Sequence, residues 1–162
     1  MITTRALIFA NGRIPDTKKV HSLVHPGGVL IAADGGTQHI LAMGLVPSVI
    51  MGDLDSVSES SLDNIQPMPE IIRHPRDKEE TDLELALRFA LNKGYEPIIL
   101  VAALGGRLDQ TIGNLSLLSS PDLSSLDIRI DDGQEEVFFS RRFAEWRGRA
   151  GDIVSLLPWG VP

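Results

Sequence analysis

Two aspartates, Asp53 and Asp55, follow an apolar stretch of the chain and are separated by one residue. In extended backbone, side chains at positions i and i+2 share a face, so both carboxylates point the same way. Two like charges held this close repel each other, and a divalent cation is the usual compensation. Oxygen ligands suit Mg²⁺, which takes one or two carboxylates and fills its other positions with water and substrate phosphate. The competing interpretation is an acidic turn in which Ser56 caps a helix, and the motif alone does not decide between the two.

Three further stretches could bind phosphate or a nucleotide, and each has a plainer structural interpretation. Asp34-Gly35-Gly36 offers backbone N–H groups at a helix start, or is simply a strand-to-helix turn. Residues 76–82 place cations beside a helix N-terminus, or merely cap that helix. Residues 105–110 combine two glycines with an arginine and an aspartate at another helix start. A plain turn does not need the arginine, so this last combination is the more specific signal.

Short apolar stretches alternate with helical patterns, and this alternation predicts the elements that position the motifs. The clearest helix covers residues 80–93, with a Thr81–Glu84 capping box and Gly94 as its stop. Strands are predicted over residues 6–10, 29–33, 47–51, 70–73, 97–102, 126–130, 136–139 and 151–157, and the other helices over 16–24, 37–43, 58–65 and 108–118. The order predicts an α/β domain with a largely parallel sheet and helices on both faces, like a Rossmann fold.

The polar motifs share one feature of placement, because each comes just after a predicted strand. This holds for Asn11-Gly12, Asp34-Gly35-Gly36, Asp53 with Asp55, and Gly105-Gly106. In open α/β sheets, ligands bind at the edge formed by the carboxyl ends of the strands. The sequence therefore predicts one binding site at that edge.

Composition excludes several classes of protein. The 162 residues carry a formal net charge of −7, which argues against a general nucleic-acid surface and against an anionic membrane. The chain has no cysteine, so disulfides and thiolate metal sites are excluded. The first apolar run is too short for a signal peptide or a membrane span, and a cytoplasmic protein is expected. Signatures of P-loop kinases, dinucleotide oxidoreductases, zinc proteases and serine hydrolases are absent.

Taken together and in this order, the motifs resemble those of the thiamine pyrophosphokinase family. The matching stretches are Ala33-Asp34-Gly35-Gly36, Gly52-Asp53-Leu54-Asp55-Ser56, Lys78 through Thr81-Asp82-Leu83-Glu84-Leu85-Ala86, Gly105-Gly106-Arg107-Leu108-Asp109-Gln110, and Gly151-Asp152 with Val154-Ser155-Leu156-Leu157-Pro158. The resemblance implies transfer of the pyrophosphoryl group of ATP to the hydroxyl of thiamine, which gives thiamine diphosphate and AMP. It also implies a Mg²⁺ site and a homodimer that binds thiamine where the two subunits meet.

The resemblance also implies a role for each matching residue. The metal ligands are Asp53, Asp55 and Asp82; the ATP site is Asp34, Gly35, Gly36, Lys78, Arg107 and Asp109; the thiamine side is Lys78, Asp82 and Gln110; and the catalytic group is Asp82, Asp55 and Arg107. Many members of the family have histidine where this chain has Gln110, while others carry glutamine. Asp82 is the candidate base for the thiamine hydroxyl, a role that ligation of a metal would weaken.

Family members continue past the Ser-Leu-Leu-Pro motif into a small β-sandwich that helps to form the thiamine pocket. We therefore expect residues 1–145 to form the catalytic domain and residues 146–162 to contain the first strand of that second domain, which is otherwise missing. Two alternatives stay open: a related pyrophosphokinase for another heterocyclic alcohol, such as a hydroxymethylpterin, and a non-catalytic nucleotide-binding module.

Overall fold

The computed structural model describes residues 3–54, 64–123 and 125–160. These residues form one sheet of seven strands with four α-helices around it. The strands are β1 (Ala6–Phe9), β2 (Val29–Ala33), β3 (Val49–Gly52), β4 (Glu70–Arg73), β5 (Ile98–Val101), β6 (Ile128–Asp131) and β7 (Glu136–Val137). The helices are α1 (Thr17–Leu23), α2 (Gly36–Ala42), α3 (Asp82–Asn92) and α4 (Leu108–Leu118), and a 3₁₀ turn covers Pro121–Leu123.

The strands lie in the order β4-β3-β2-β1-β5-β6-β7. Neighbouring strands are parallel except for the antiparallel β6–β7 hairpin, whose turn contains Asp132 and Gly133, a pair of residues typical of such turns. From β1 the chain moves outward to β4 and then returns to place β5 on the other side of β1. The strand order therefore reverses between β1 and β5, where an open α/β sheet has its binding crevice.

The predicted placement of helices on both faces of the sheet is confirmed. One buried cluster joins Val20 of α1 and Ile40 of α2 to side chains on one face of the sheet, including Leu7 and Phe9. The cluster on the other face joins side chains of α3 and α4, and it includes Leu83, Ala86, Leu87, Ala90 and Leu118. Alternate residues of the strands enter the two clusters, because successive side chains of a strand point to opposite faces. Fully burying one leucine in such a core stabilises the fold by about 1.5–3 kcal/mol.

The start of α3 follows the predicted cap, and α1 has a cap that the sequence did not predict. The Thr81 hydroxyl accepts a hydrogen bond from the backbone N–H of Glu84 (3.1 Å), so α3 begins one residue after the cap. Glu84 itself pairs with Arg88 at 2.8 Å along the helix. The Asp16 carboxylate caps α1 by accepting a hydrogen bond from the N–H of Lys19 (3.0 Å).

Two predictions for the elements need comment. The strand predicted over residues 151–157 is not formed: up to residue 160, where the description ends, the tail has neither helix nor strand. Its apolar pattern is local, whereas a strand also needs a neighbour to pair with, and Ile153, Leu156 and Leu157 are exposed. Trp159 instead packs edge-on against Phe139, with ring centroids 5.8 Å apart.

The helix predicted over residues 58–65 lies almost wholly outside the described residues. The division of the chain into two domains stays a prediction.

Among the helices of the described residues, none combines the length and the apolar composition that a membrane span requires.

Candidate active site at the carboxyl edge of the sheet

The end of β3 and the segments that follow β2, β1 and β5 contact one another in that order along the carboxyl edge of the sheet. The backbone N–H of Asp34 donates to the carbonyl oxygen of Met51 (2.7 Å). A Cβ atom built on Gly35 would lie 2.4 Å from the side chain of Asn11, so these two segments are in tight contact. The sheet order thus brings together the motifs that the sequence placed after separate strands.

The segments after β1 and β5 are joined by backbone hydrogen bonds at the point where the strand order reverses. The N–H of Gly12 donates to the carbonyl oxygen of Ala102 (2.7 Å), and that of Arg13 donates to the carbonyl oxygen of Leu104 (3.0 Å). A Cβ atom at position 12 would lie 2.4 Å from the carbonyl oxygen of Ala102. Only glycine therefore permits this approach of the two backbones.

Three non-glycine residues at this edge have positive φ angles: Asp34 (46°), Leu54 (61°) and Ala102 (54°). Asp34 and Ala102 directly follow β2 and β5, and Leu54 lies two residues after β3. This region of backbone space is sparsely populated by residues with a Cβ, and such residues are often found at functional sites. At each of the three positions, this conformation turns the backbone sharply as it leaves the sheet.

The two glycines after Asp34 have a packing role. A Cβ atom at Gly36 would lie 1.9 Å from the carbonyl oxygen of Phe9, because α2 begins directly against the end of β1. Both glycines are buried. Contact with ATP at Asp34, Gly35 and Gly36 stays a prediction.

The structure describes two of the three acidic side chains of the predicted metal site. Each of the two faces a cation from the segment between β4 and α3. The Asp53 side chain is 23% exposed, and its Oδ2 atom lies 4.0 Å from the Nε atom of Arg76. Asp82 opens α3 with 26% exposure, and its Oδ1 atom lies 2.8 Å from the Nζ atom of Lys78. The third predicted ligand, Asp55, lies outside the described residues.

The donors of this site are compatible with Mg²⁺. Within residues 3–54, 64–123 and 125–160, no three histidine, aspartate or glutamate side chains form a group that could hold a metal ion. The oxygen donors of Asp53 and Asp82 are nevertheless of the kind that Mg²⁺ prefers. The Oδ1 atom of Asp82 is removed from solvent, and no aligned hydrogen bond reaches it within the described ranges although Lys78 is near. The three-residue metal site stays a prediction.

Arg107 and Asp109 lie at the β5 end of the edge and pair with each other. The Nε atom of Arg107 donates to Oδ1 of Asp109 (3.1 Å), and the Nη2 atom donates to Oδ2 (2.5 Å). The hydrogen bond lowers the pKa of the Asp109 carboxyl below its ordinary value, and the same pairing raises the pKa of Arg107. Both side chains are largely exposed, as is the neighbouring Gln110, so a ligand can reach them.

Three residues at this edge were given no individual role by the sequence, although Arg76 belongs to the stretch 76–82 that was considered for phosphate binding. Arg76 contacts Asp53, and the side-chain amide of Asn114 donates to the carbonyl oxygen of Ala103 (2.8 Å), which holds α4 against the segment after β5. A ring nitrogen of His39 lies 3.0 Å from the carbonyl oxygen of Gly12. A signal existed for Arg76, which stands after a predicted strand like the other motifs. The partners of Asn114 and His39 lie 11 and 27 residues away in sequence, and no local pattern reveals them.

Comparison with known proteins identifies relatives among the thiamin pyrophosphokinases. The family model for the catalytic domain of thiamin pyrophosphokinase matches residues 20–130. The chain is 34% identical over 108 residues to thiamine pyrophosphokinase of Bacillus subtilis. The aligned region covers 66% of this chain and 50% of that protein. The crystal structure of the Bacillus subtilis enzyme superposes with a TM-score of 0.66 and 28% identity, over 80% of this chain and 60% of that one. The crystal structure of a thiamin pyrophosphokinase family protein from Enterococcus faecalis superposes with a TM-score of 0.66 and 29% sequence identity. The match covers 82% of this chain and 63% of that one.

The chain spans about half the length of the curated relatives that it matches.

Proposed function

The chain belongs to the thiamin pyrophosphokinase family, and we propose that it provides the nucleotide- and metal-binding part of such an enzyme. The proposed reaction transfers the pyrophosphoryl group of ATP to the hydroxyl of thiamine. The hydroxyl oxygen forms a bond to the β-phosphorus of ATP, and the bond from that phosphorus to the oxygen bridging the α-phosphate breaks. AMP leaves with that oxygen, and the hydroxyl proton passes to a base.

One observation carries the proposal: carboxylates and cations meet along the carboxyl edge of the sheet. Asp53 and Asp82 lie there with Arg76 and Lys78 next to them. Transfer of a phosphoryl-type group asks a protein mainly to position the reactants and to neutralise charge. Such an edge suits both tasks, because its side chains come from elements that the core holds in place.

We assign roles to the residues of this edge as follows. Asp53, Asp55 and Asp82 would hold Mg²⁺, which when bound supplies the positive charge that neutralises phosphate oxygens. The ATP-binding group is Asp34, Gly35, Gly36, Lys78, Arg107 and Asp109, and the residues on the side of thiamine are Lys78, Asp82 and Gln110.

The side chains of the protein have three tasks in this scheme. Arg107 presents a planar guanidinium that can hold two phosphate oxygens at once, and Lys78 adds a compact charge close to them. Both offset the negative charge that develops on the transferred group. Asp82 is our candidate to accept the proton of the thiamine hydroxyl, which requires that the hydroxyl lie within hydrogen-bonding distance of the carboxylate.

Two assays test the proposal on the purified chain. The first assay measures the AMP and thiamine diphosphate that form when the chain is mixed with ATP, Mg²⁺ and thiamine. A parallel reaction contains a hydroxymethylpterin in place of thiamine. Thiamine-dependent AMP supports the proposal, and AMP formed only with the pterin favours the related pyrophosphokinase.

The second assay titrates ATP calorimetrically with and without Mg²⁺. Equal affinity in both conditions would contradict the metal site, whereas cation-dependent binding without AMP formation would indicate a nucleotide-binding module.

A homodimer with thiamine at its interface and a cytoplasmic location also belong to this proposal. Sedimentation of the chain tests the first, and localisation of a tagged protein in cells tests the second.

A further inference from the structure

The segment that follows β1, residues 11–13, lies where the strand order reverses, and its Asn11-Gly12 motif has no role in the proposed reaction. The backbone N–H groups of Gly12 and Arg13 donate to carbonyl oxygens of the segment after β5 (2.7 and 3.0 Å). The carbonyl oxygen of Gly12 lies 3.0 Å from a ring nitrogen of His39 on α2. The segment is therefore held from two sides, and its place at the sheet edge is fixed.

Arg13 packs the stem of its side chain against Gly105. A Cβ atom built on Gly105 would lie 3.2 Å from the Cβ atom of Arg13 and 3.3 Å from its Cγ and Cδ atoms. Gly105 also has a φ angle of 74°, which residues with a Cβ rarely adopt, so its backbone and its neighbour both favour glycine. Both residues are nevertheless exposed. The stem of Arg13 is thus in contact with the protein, while the residue stays open to a ligand.

The charge of Arg13 has no acidic partner in the part of the chain that the structure describes, because none of the ion pairs there includes it. Arg107, which follows two residues after Gly105, pairs with Asp109 instead. Two arginines therefore stand next to the Gly105-Gly106 stretch, and among the described residues one carboxylate pairs with them. Although the whole chain carries a net charge of −7, this stretch has a local excess of positive charge, which attracts anions.

The ligand that fits this arrangement best is a phosphate group. In open α/β sheets, ligands bind where the strand order reverses. A guanidinium binds phosphate oxygens with two parallel hydrogen bonds, and glycines let a ligand approach the backbone closely. Because the stem of Arg13 is already packed against Gly105, binding immobilises less of the side chain and costs less conformational entropy.

We propose that Arg13 is a further nucleotide-binding residue, whose guanidinium holds phosphate oxygens of ATP beside Gly105. The inference rests on the proposed function, because it needs a nucleotide at this edge of the sheet. The ATP-binding residues assigned above follow β2, β4 and β5. Arg13 adds the contribution of β1, the middle strand of the sheet.

Two substitutions separate the charge of Arg13 from the packing of its stem. Arg13→Gln keeps the Cβ, Cγ and Cδ atoms that pack against Gly105 but removes the charge. Arg13→Lys keeps the stem and the charge but lacks the planar guanidinium. If the stem alone matters, both variants behave like the wild-type chain. If the guanidinium binds phosphate, only the variant that retains a charge keeps part of the affinity.

The test is a calorimetric titration of the chain with a non-hydrolysable ATP analogue in the presence of Mg²⁺. Arg13→Gln binds the analogue about tenfold or more weakly than the wild-type chain, because a charged hydrogen-bond donor is lost. Arg13→Lys falls between the two. The control Arg88→Ala removes another exposed arginine, which pairs with Glu80 and Glu84 on α3, and its affinity stays at the wild-type value. Circular dichroism and thermal unfolding establish that each variant is folded.

The outcomes separate this inference from the proposed function. Wild-type binding of the analogue together with an unchanged affinity in Arg13→Gln overturns the role of Arg13 alone. An equal loss in Arg13→Gln and Arg13→Lys also overturns it, because the positive charge would then contribute nothing. Failure of the wild-type chain to bind the analogue with Mg²⁺ overturns the proposed function and this inference together.

Discussion

The Nζ atom of Lys78 lies 2.8 Å from the Oδ1 atom of Asp82, at the point where α3 begins. Both side chains are mostly withdrawn from solvent, with 14% and 26% of their surfaces exposed. Screening by water is therefore weaker here than for the pairs on the outer face of α3, and the pair fixes the first turn of the helix against the segment after β4.

We expect Lys78→Ala to lower the free energy of unfolding by about 1–3 kcal/mol, because it leaves the buried Oδ1 atom of Asp82 without its cation. Adding Asp82→Asn to that variant should recover part of the loss. Urea denaturation of both single variants, the double variant and the wild-type chain measures the coupling. The control is Arg88→Ala, whose exposed pairs should be worth no more than about 1 kcal/mol. Strictly additive effects of the two substitutions would contradict a coupled pair.

We expect Gly36→Ala to destabilise the chain by at least about 1–3 kcal/mol, because the new methyl group would overlap the carbonyl oxygen of Phe9. Gly113→Ala is the matched control: this glycine also lies in a helix, and nothing stands within 4 Å of the position that its added methyl group would take. That change should stabilise by about 0.5–1 kcal/mol, since alanine favours a helix over glycine. Thermal unfolding of the two variants, compared under the same conditions, checks the opposite signs. A stable Gly36→Ala variant would show that α2 can move away from β1.

We expect Asp53→Asn to abolish the Mg²⁺-dependent part of ATP binding while the fold remains. The carboxylate lies at the end of β3 with 23% of its side chain exposed, outside the two buried clusters. Its removal should change the free energy of unfolding by no more than about 0.5–1 kcal/mol. Calorimetry with and without Mg²⁺ checks the first effect, and urea denaturation the second. Asp122→Asn, at an exposed aspartate of the 3₁₀ turn, is the control and should bind like the wild-type chain.

We expect Arg107→Ala to lower kcat more than it raises the KM for ATP, with a loss in kcat on the order of 10² if the guanidinium acts on developing charge. Steady-state kinetics with thiamine and Mg-ATP separates the two parameters. An unchanged kcat with a raised KM would mean that Arg107 binds ground state and transition state equally. Arg107→Lys should retain part of the activity, because lysine keeps the positive charge but lacks the planar guanidinium that holds two phosphate oxygens at once.

The same substitution has a consequence for titration. The hydrogen bond from Arg107 lowers the pKa of Asp109, so the stability from this pair is fully present above the ordinary carboxyl pKa and is lost as the pH falls through the lowered one. In Arg107→Ala the pKa of Asp109 should rise toward its ordinary value. Carboxyl chemical shifts followed by NMR over the acidic range check this direction. An unmoved titration would mean that the pair does not persist in solution.

Local patterns in the sequence were enough to predict the elements that build the site. Short apolar stretches predicted β1, β2 and β5, and the Thr81–Glu84 capping box with the stop at Gly94 predicted α3 to within two residues at each end. These predictions succeed because burial of a strand and capping of a helix are decided by residues close together in the chain. The placement of the polar motifs after strands follows from the same local information.

The tertiary structure alone decided which of these motifs meet. The return of β5 to the side of β1 lets Gly12 approach Ala102, which is 90 positions further along the chain. The approach of Arg76 to Asp53 likewise depends on β4 pairing with β3. The tail shows the converse, because the apolar residues within 151–157 predicted a strand that did not form. The physical reason is common to all three: strand pairing and side-chain contact join distant residues, and a pattern of neighbours carries no information about the partner.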